Sequence, residues 1–219
     1  MASVSVESAG GVRTGALLEA CVAEHGSASH PYFASPALRN GANLADAIHF
    51  LTALHGRHPG VVDLAATRIV DPAGRAWLAS AAEGAAAERA LLTRLAVAAG
   101  PIPSTPGGGA SEAAIQAQRA ALATLAQSDR KGCALGAALA LAADWVAVRS
   151  VIEAAAKRLG VEVAANTLGD EARLRAVADE ATAAERALLF GAQQLALQHR
   201  ALWDLLEARQ QARRRSAPC

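Results

Sequence analysis

Four residues able to do acid–base or metal chemistry fall where apolar side chains are expected: Glu88, Asp144, Glu185 and His199. At about 100° per residue in a helix, Glu88 sits inside a stripe made by Trp77, Gly84, Leu91, Leu95 and Ala98. Glu185 and His199 sit inside another, with Leu174, Val177, Leu188, Ala192, Leu195, Leu202 and Trp203. Asp144 lies on a narrow strip of small residues, Cys133, Ala140, Ala147 and Val151. Large faces flank that strip, Leu135, Leu139 and Val146 on one side and Leu141, Val148, Ile152 and Leu159 on the other. A carboxylate in a low-dielectric interior must find a partner, take up a proton or bind a metal.

Carboxylates and a histidine projecting from facing helices are the donors of a ferritin-like dimetal site. Such a site needs Glu-x-x-His on each of two helices. The residue three after Glu88 is Leu91, the one three after Glu185 is Leu188, and the motif occurs nowhere in the chain. No metal or other cofactor is therefore expected. The competing expectation is that Arg89, Arg186 or Arg149 neutralises these carboxylates and joins helices by buried ion pairs.

The second concentration of chemistry runs from Asn43 to Pro59 and holds Asp46, His49, His55 and His58. Asn43, Asp46 and His49 share a helix face, so Asp46 is placed to orient His49 as a base. His55 ends the apolar face of Leu44, Ile48, Leu51 and Leu54, where the carbonyls of a helix C-terminus favour a cationic ring. His55 and His58 with Asp63 also have donor types suited to a metal, although Gly56 and Pro59 interrupt their spacing. The preceding segment 26–42 reads as a long loop whose Tyr32 and Phe33 are placed to close over a pocket. The glycines at 107–109 lack the lysine and strand of a phosphate-binding loop, and no Ser or Cys lies in a nucleophile context.

These residues need helices to position them, and the composition supplies helices. Hydrophobic residues make up 53% of the 219 and aromatics only 3%, because so much of the apolar content is alanine, a strong helix former and a poor strand former. The fold class is all-α: an antiparallel helical bundle of four long helices, with two or three short N-terminal helices packed on it. Residues 1–11 read as disordered. A short helix follows at 12–25, then one from Leu44, capped by Asn43, to His55, and one at 61–68. Asp71-Pro72 opens a long helix to Ala99. Residues 100–110 are a linker inside the domain, followed by helices at 111–127 and, capped by Asp129, 130–159. Asp170 opens a last stretch helical to Arg213, with a bend but no forced break near Thr182. One domain then spans 12–213, with a basic tail at 214–219.

A net charge of +1 gives no field to draw in nucleic acid or a membrane surface. The apolar run Cys133–Ala143 is too short for a span of about 20 residues and leads straight into Asp144. Lys131 and Lys157 are the only lysines among 21 basic residues; with the alanine excess, this suggests a GC-rich bacterial genome. Three distant cysteines, Cys21, Cys133 and Cys219, fit a reducing cytoplasm. The heptapeptide Ala86–Leu92 recurs unchanged at Ala183–Leu189, but little else repeats at that offset, so convergence in alanine-rich helices explains it better than duplication. Phe190, Leu197 and Leu205 lie off the inner stripe of the last helix and point to a second covered surface. The function expected is interaction or structure without catalysis, the partner being a second copy or another protein at a helix face. The alternative is a bundle enzyme or small-molecule-binding protein with an internal carboxylate and histidine pocket.

Overall fold

The computed structural model describes residues 13–216, and there the chain is all-helical, with nine α-helices and no strand. They are α1 (Thr14–His25), α2 (Pro31–Ala34), α3 (Gly41–His55), α4 (Val61–Ala66), α5 (Pro72–Ala99), α6 (Gly108–Ala126), α7 (Cys133–Leu159), α8 (Glu171–Glu180) and α9 (Glu185–Ser216). Single 3-10 turns occur at Ser27–Ser29, Pro36–Arg39 and Thr182–Ala184. The expected disorder at 1–11 and the last residues of the tail lie outside the described residues.

Helix α7 is the axis of the molecule and packs against α1, α3, α4, α5, α6, α8 and α9. By length and composition it is apolar enough to cross a membrane, yet 78% of that window is buried inside the fold. A helix apolar all round belongs in the middle of a protein. Its longest contact is with α9, and glycines make it close. A Cβ on Gly136 of α7 would meet the backbone of Leu188 of α9, and one on Gly191 would meet the backbone of Cys133. Gly160, at φ 67°, closes α7 in the left-handed conformation that favours glycine. Val161 N–H then reaches back to Ala156 O at 3.0 Å. Val146 departs from the expected buried face and is 58% exposed.

Several element boundaries differ from the sequence reading, each for a local reason. The stretch 26–42 is not a loop. His30, Ser35 and Asn40 each accept from the backbone N–H two residues on and so start successive short turns. Asn40 therefore caps α3, and Asn43 is a buried residue inside the helix, donating to Ala37 O at 2.7 Å. The glycine run is not all linker, since α6 begins at Gly108. Asp129 caps nothing and bridges Arg68, because Gly132 sets the start of α7. The last stretch does break, at Ala181–Ala184, so Glu185 opens α9 rather than lying mid-helix. The basic residues to Ser216 continue α9, and Arg213 at its end is tied to the buried Asp46.

Candidate functional site

Asp144 and His199 are brought together where α7 crosses α9. They are 2% and 1% exposed, and His199 Nδ1 lies 2.5 Å from Asp144 Oδ2. The turn after α1 adds Ser27, whose N–H donates to Oδ1 at 2.8 Å and whose hydroxyl donates to Oδ2 at 2.5 Å. Gly26 lets this turn approach, since a Cβ there would collide with the Asp144 carboxylate. On the far side of the imidazole, His199 Nε2 is 3.0 Å from His55 Nε2 at the end of α3. The result is a bonded chain, Ser27–Asp144–His199–His55.

The chemistry of the chain orders its protons. A carboxylate only accepts, so His199 donates from Nδ1, and of the two facing Nε2 atoms of His199 and His55 one donates to the other. Burial opposes ionisation of Asp144, but the hydrogen bond and charge of His199, with both Ser27 donors, hold its carboxyl below the usual range. Burial, and then the neighbouring His199, push the His55 imidazole well below its ordinary value. A second proton on this pair would set two cations face to face.

Glu88 belongs to a neighbouring knot. Trp145 Nε1 donates to Oε2 at 3.0 Å, and the Arg149 guanidinium donates to Oε1 and also to Ala164 O. The arginine that meets Glu88 is thus Arg149. Arg89 turns instead to Asp63, at 2.9 Å, and Arg186 is exposed. The two knots touch through the edge-on contact of the His55 and Trp145 rings, 5.3 Å between centroids. His55, Glu88 and Arg89 also line one cavity of about 40 Å³.

The other candidates lie elsewhere. Glu185 is not in this cluster; with α9 starting there, it accepts from Thr14 Oγ1 at 2.8 Å, while Asp179 accepts from Gly15 N–H. Two carboxylates thereby supply the first turn of α1, where the helix dipole favours negative charge. Asp46 does not orient His49. Arg209 of α9 grips it with two bonds, at 3.0 and 2.9 Å, and Arg213 adds a third. His49 donates to Gly100 O at 2.9 Å. His58 lies 3.3 Å from Asp63, whereas His55 faces His199, so the two do not share a site. No group of three His, Cys, Asp or Glu side chains with metal-binding geometry occurs among the described residues.

Sequence reasoning missed Ser27, Trp145, Arg209 and Arg213. Ser27 lay in a segment read as loop, and the arginines in the closing turns of the last helix, beside the basic tail; an arginine at 209 and another at 213, one turn apart, was the available signal. Tyr32 is not among the residues lining the cavity beside His55. It is buried beside this arginine cluster, and burial pushes its phenol up to about 12, with Arg213 acting against that.

Residues 22–214 match the model of a protein family described as a family of unknown function, DUF6975. No curated protein and no solved structure matches the chain.

Proposed function

The chain belongs to DUF6975, since the family model covers most of its length, and we propose that it is a non-catalytic interaction protein that pairs with a second copy through the outer face of α9. The observation that carries this reading is Phe190 and Leu197. They are seven residues apart, two turns along one face, and stay 44% and 38% exposed. Helix α1 packs on α9 and Leu205 is half-buried, but this pair is left outside. A two-fold pairing of the same face sets Phe190 of each copy against Leu197 of the other.

The polar core supports the non-catalytic half of the proposal. Glu88, Asp144 and Asp46 are each held by two protein donor residues, and a reacting group needs a valence turned toward a substrate. The cavity beside His55 has room for about three waters at roughly 10–15 Å³ each, which suits hydration better than a substrate. We read the four long helices as an antiparallel bundle forming one domain in a bacterial cytoplasm, with α1–α4 packed across it.

Light scattering tests the pairing. The expected solution mass is twice 22.3 kDa, falling to a monomer in the double variant Phe190→Gln, Leu197→Gln with unchanged helical circular dichroism. A wild-type monomer at high protein concentration would sink the proposal.

A further inference from the structure

The last turn of α3 is held to the bundle differently from the rest of that helix. Its first half is pinned by guanidinium–carboxylate bonds, since Arg209 and Arg213 of α9 grip Asp46. The Arg209 guanidinium also lies over the Phe50 ring, 4.8 Å from its centroid. Beyond α3, α4 is fastened to α5 by Arg89 on Asp63 at 2.9 Å. Between these anchors the chain runs from Thr52 to Gly60. Among the described residues, two side-chain bonds tie that stretch to the long helices: Thr52 Oγ1 to Leu92 O at 3.4 Å, and His55 Nε2 to His199 Nε2 at 3.0 Å. The stretch also reaches the surface, with His55 and Gly56 half-buried and Arg57, His58 and Pro59 exposed.

The histidine bond depends on one proton. Two facing imidazole nitrogens bond only while one of them is bare; with hydrogen on both, two donors meet. The charges around the pair set how many protons it can hold. They are Asp144 and Arg149 from α7, Glu88 and Arg89 from α5, and Asp63 from α4, with the exposed His58 3.3 Å from Asp63. Arg200, next to His199 on α9, turns to Ser29 instead. Three carboxylates against two guanidiniums leave one negative charge, which a first imidazolium on the pair neutralises. A second is unmatched. Burial and the neighbouring His199 already push the His55 imidazole well below its ordinary value. Released from the pair, the same ring would stand free at the C-terminal carbonyls of α3, which favour its charged form. The docked position opposes the charge that the released position favours, so protons select release.

We propose that Thr52–Gly60 is a proton-operated latch: as pH falls from about 7 to about 5, His55 leaves His199 and the cavity it shares with Glu88, Arg89 and Trp145 opens to solvent, while the rest of the bundle stays folded. The change is local because guanidinium–carboxylate pairs keep their charges across that range and hold both anchors. His199 is buried on the inner side of α9, whereas Phe190 and Leu197 are exposed, so the latch stands whether the chain is a monomer or a dimer.

Hydrogen exchange of the full chain at pH 7.5 and pH 5.5, with rates corrected for the intrinsic effect of pH, tests the proposal. Peptides covering 52–60 are expected to lose protection at least tenfold at pH 5.5, while those from the middle of α7 and around Asp46 keep theirs. His55→Gln keeps a donor toward His199 but takes up no proton, and should show equal protection at both pH values. His58→Gln, outside the pair, should respond as the wild type does. If His55→Gln fails to fold, the wild type alone decides. Unchanged protection of 52–60, a loss spread equally over α7, or a full pH response in folded His55→Gln would each overturn the latch.

Discussion

Replacing Gly136 by alanine isolates the contact on which the whole arrangement rests. In a free helix this change stabilises by about 1 kcal/mol, because alanine is the better helix former. Here the new Cβ would stand 2.6 Å from the Leu188 carbonyl carbon and 2.8 Å from its Cα, nearer still to the oxygen, where ordinary contact begins at 3.4 Å. The obstacle is backbone and cannot rotate away, so α9 must withdraw by at least 0.8 Å. A gap of that size forfeits a quarter to a half of each dispersion well along the seam, and overpacking adds about 1–3 kcal/mol. Subtracting the propensity gain from the overpacking cost leaves roughly 0–2 kcal/mol, to which the lost dispersion along the seam adds, against the 5–15 kcal/mol typical of a domain. Urea unfolding should show the midpoint falling with the slope unchanged. Gly109→Ala is the control: it lies in the first turn of α6 with nothing within 4 Å of the added methyl, and should be neutral or slightly stabilising. If Gly136→Ala proves as stable as Gly109→Ala, the close crossing of α7 and α9 is not what holds the core.

His55 predicts an acid-sensitive fold. Its folded value is below its unfolded one, so between the two the unfolded chain binds more protons. Stability is therefore complete above about pH 6.5 and declines below it, by up to about 1.4 kcal/mol per pH unit for one group. His55→Gln, which keeps a donor toward His199, should flatten the wild-type loss between pH 7 and 5 in urea titrations; an unchanged slope would exonerate this histidine. Asp144 adds a second loss only below the ordinary carboxylate range, since its own value is lowered. Glu88→Gln removes the negative partner of the buried Arg149 and should cost about 3–5 kcal/mol. Glu88→Leu combined with Arg149→Leu should cost less than either single change, because no charge is stranded. Additive losses in that cycle would show that the two residues do not act as a pair.

The sequence carried the odd residues more reliably than their partners. Asp144, Glu88 and His199 each broke an apolar period, and a period is a local property that any helix of that length must express. What they met was not local. The separations along the chain are 117 residues from Ser27 to Asp144, 144 from His55 to His199 and 163 from Asp46 to Arg209, and no periodicity links such positions. His55 could be read equally with His49 on its own helix or with His58 just beyond it; only packing turned its ring to His199. Asp46 and His49 share a helix face yet have separate partners, since Arg209 and Arg213 bind Asp46 more favourably than an imidazole would.

The repeated Ala-Ala-Glu-Arg-Ala-Leu-Leu divides in the same way. Both copies are helical in outline, as their alanines and leucines require. The first lies wholly within α5, and its glutamate is sealed against Arg149 and Trp145. The second straddles the start of α9, and its glutamate accepts from Thr14. By itself the sequence determined that this chain is helical, where long helices run in outline, and that Glu88 and Asp144 face inward, because composition and period act over a few residues. The tertiary structure alone decided which donor meets each carboxylate, where the last helix breaks, and which apolar surfaces are left uncovered. Those outcomes depend on how closely helices approach, and at the α7–α9 crossing two glycines set that distance.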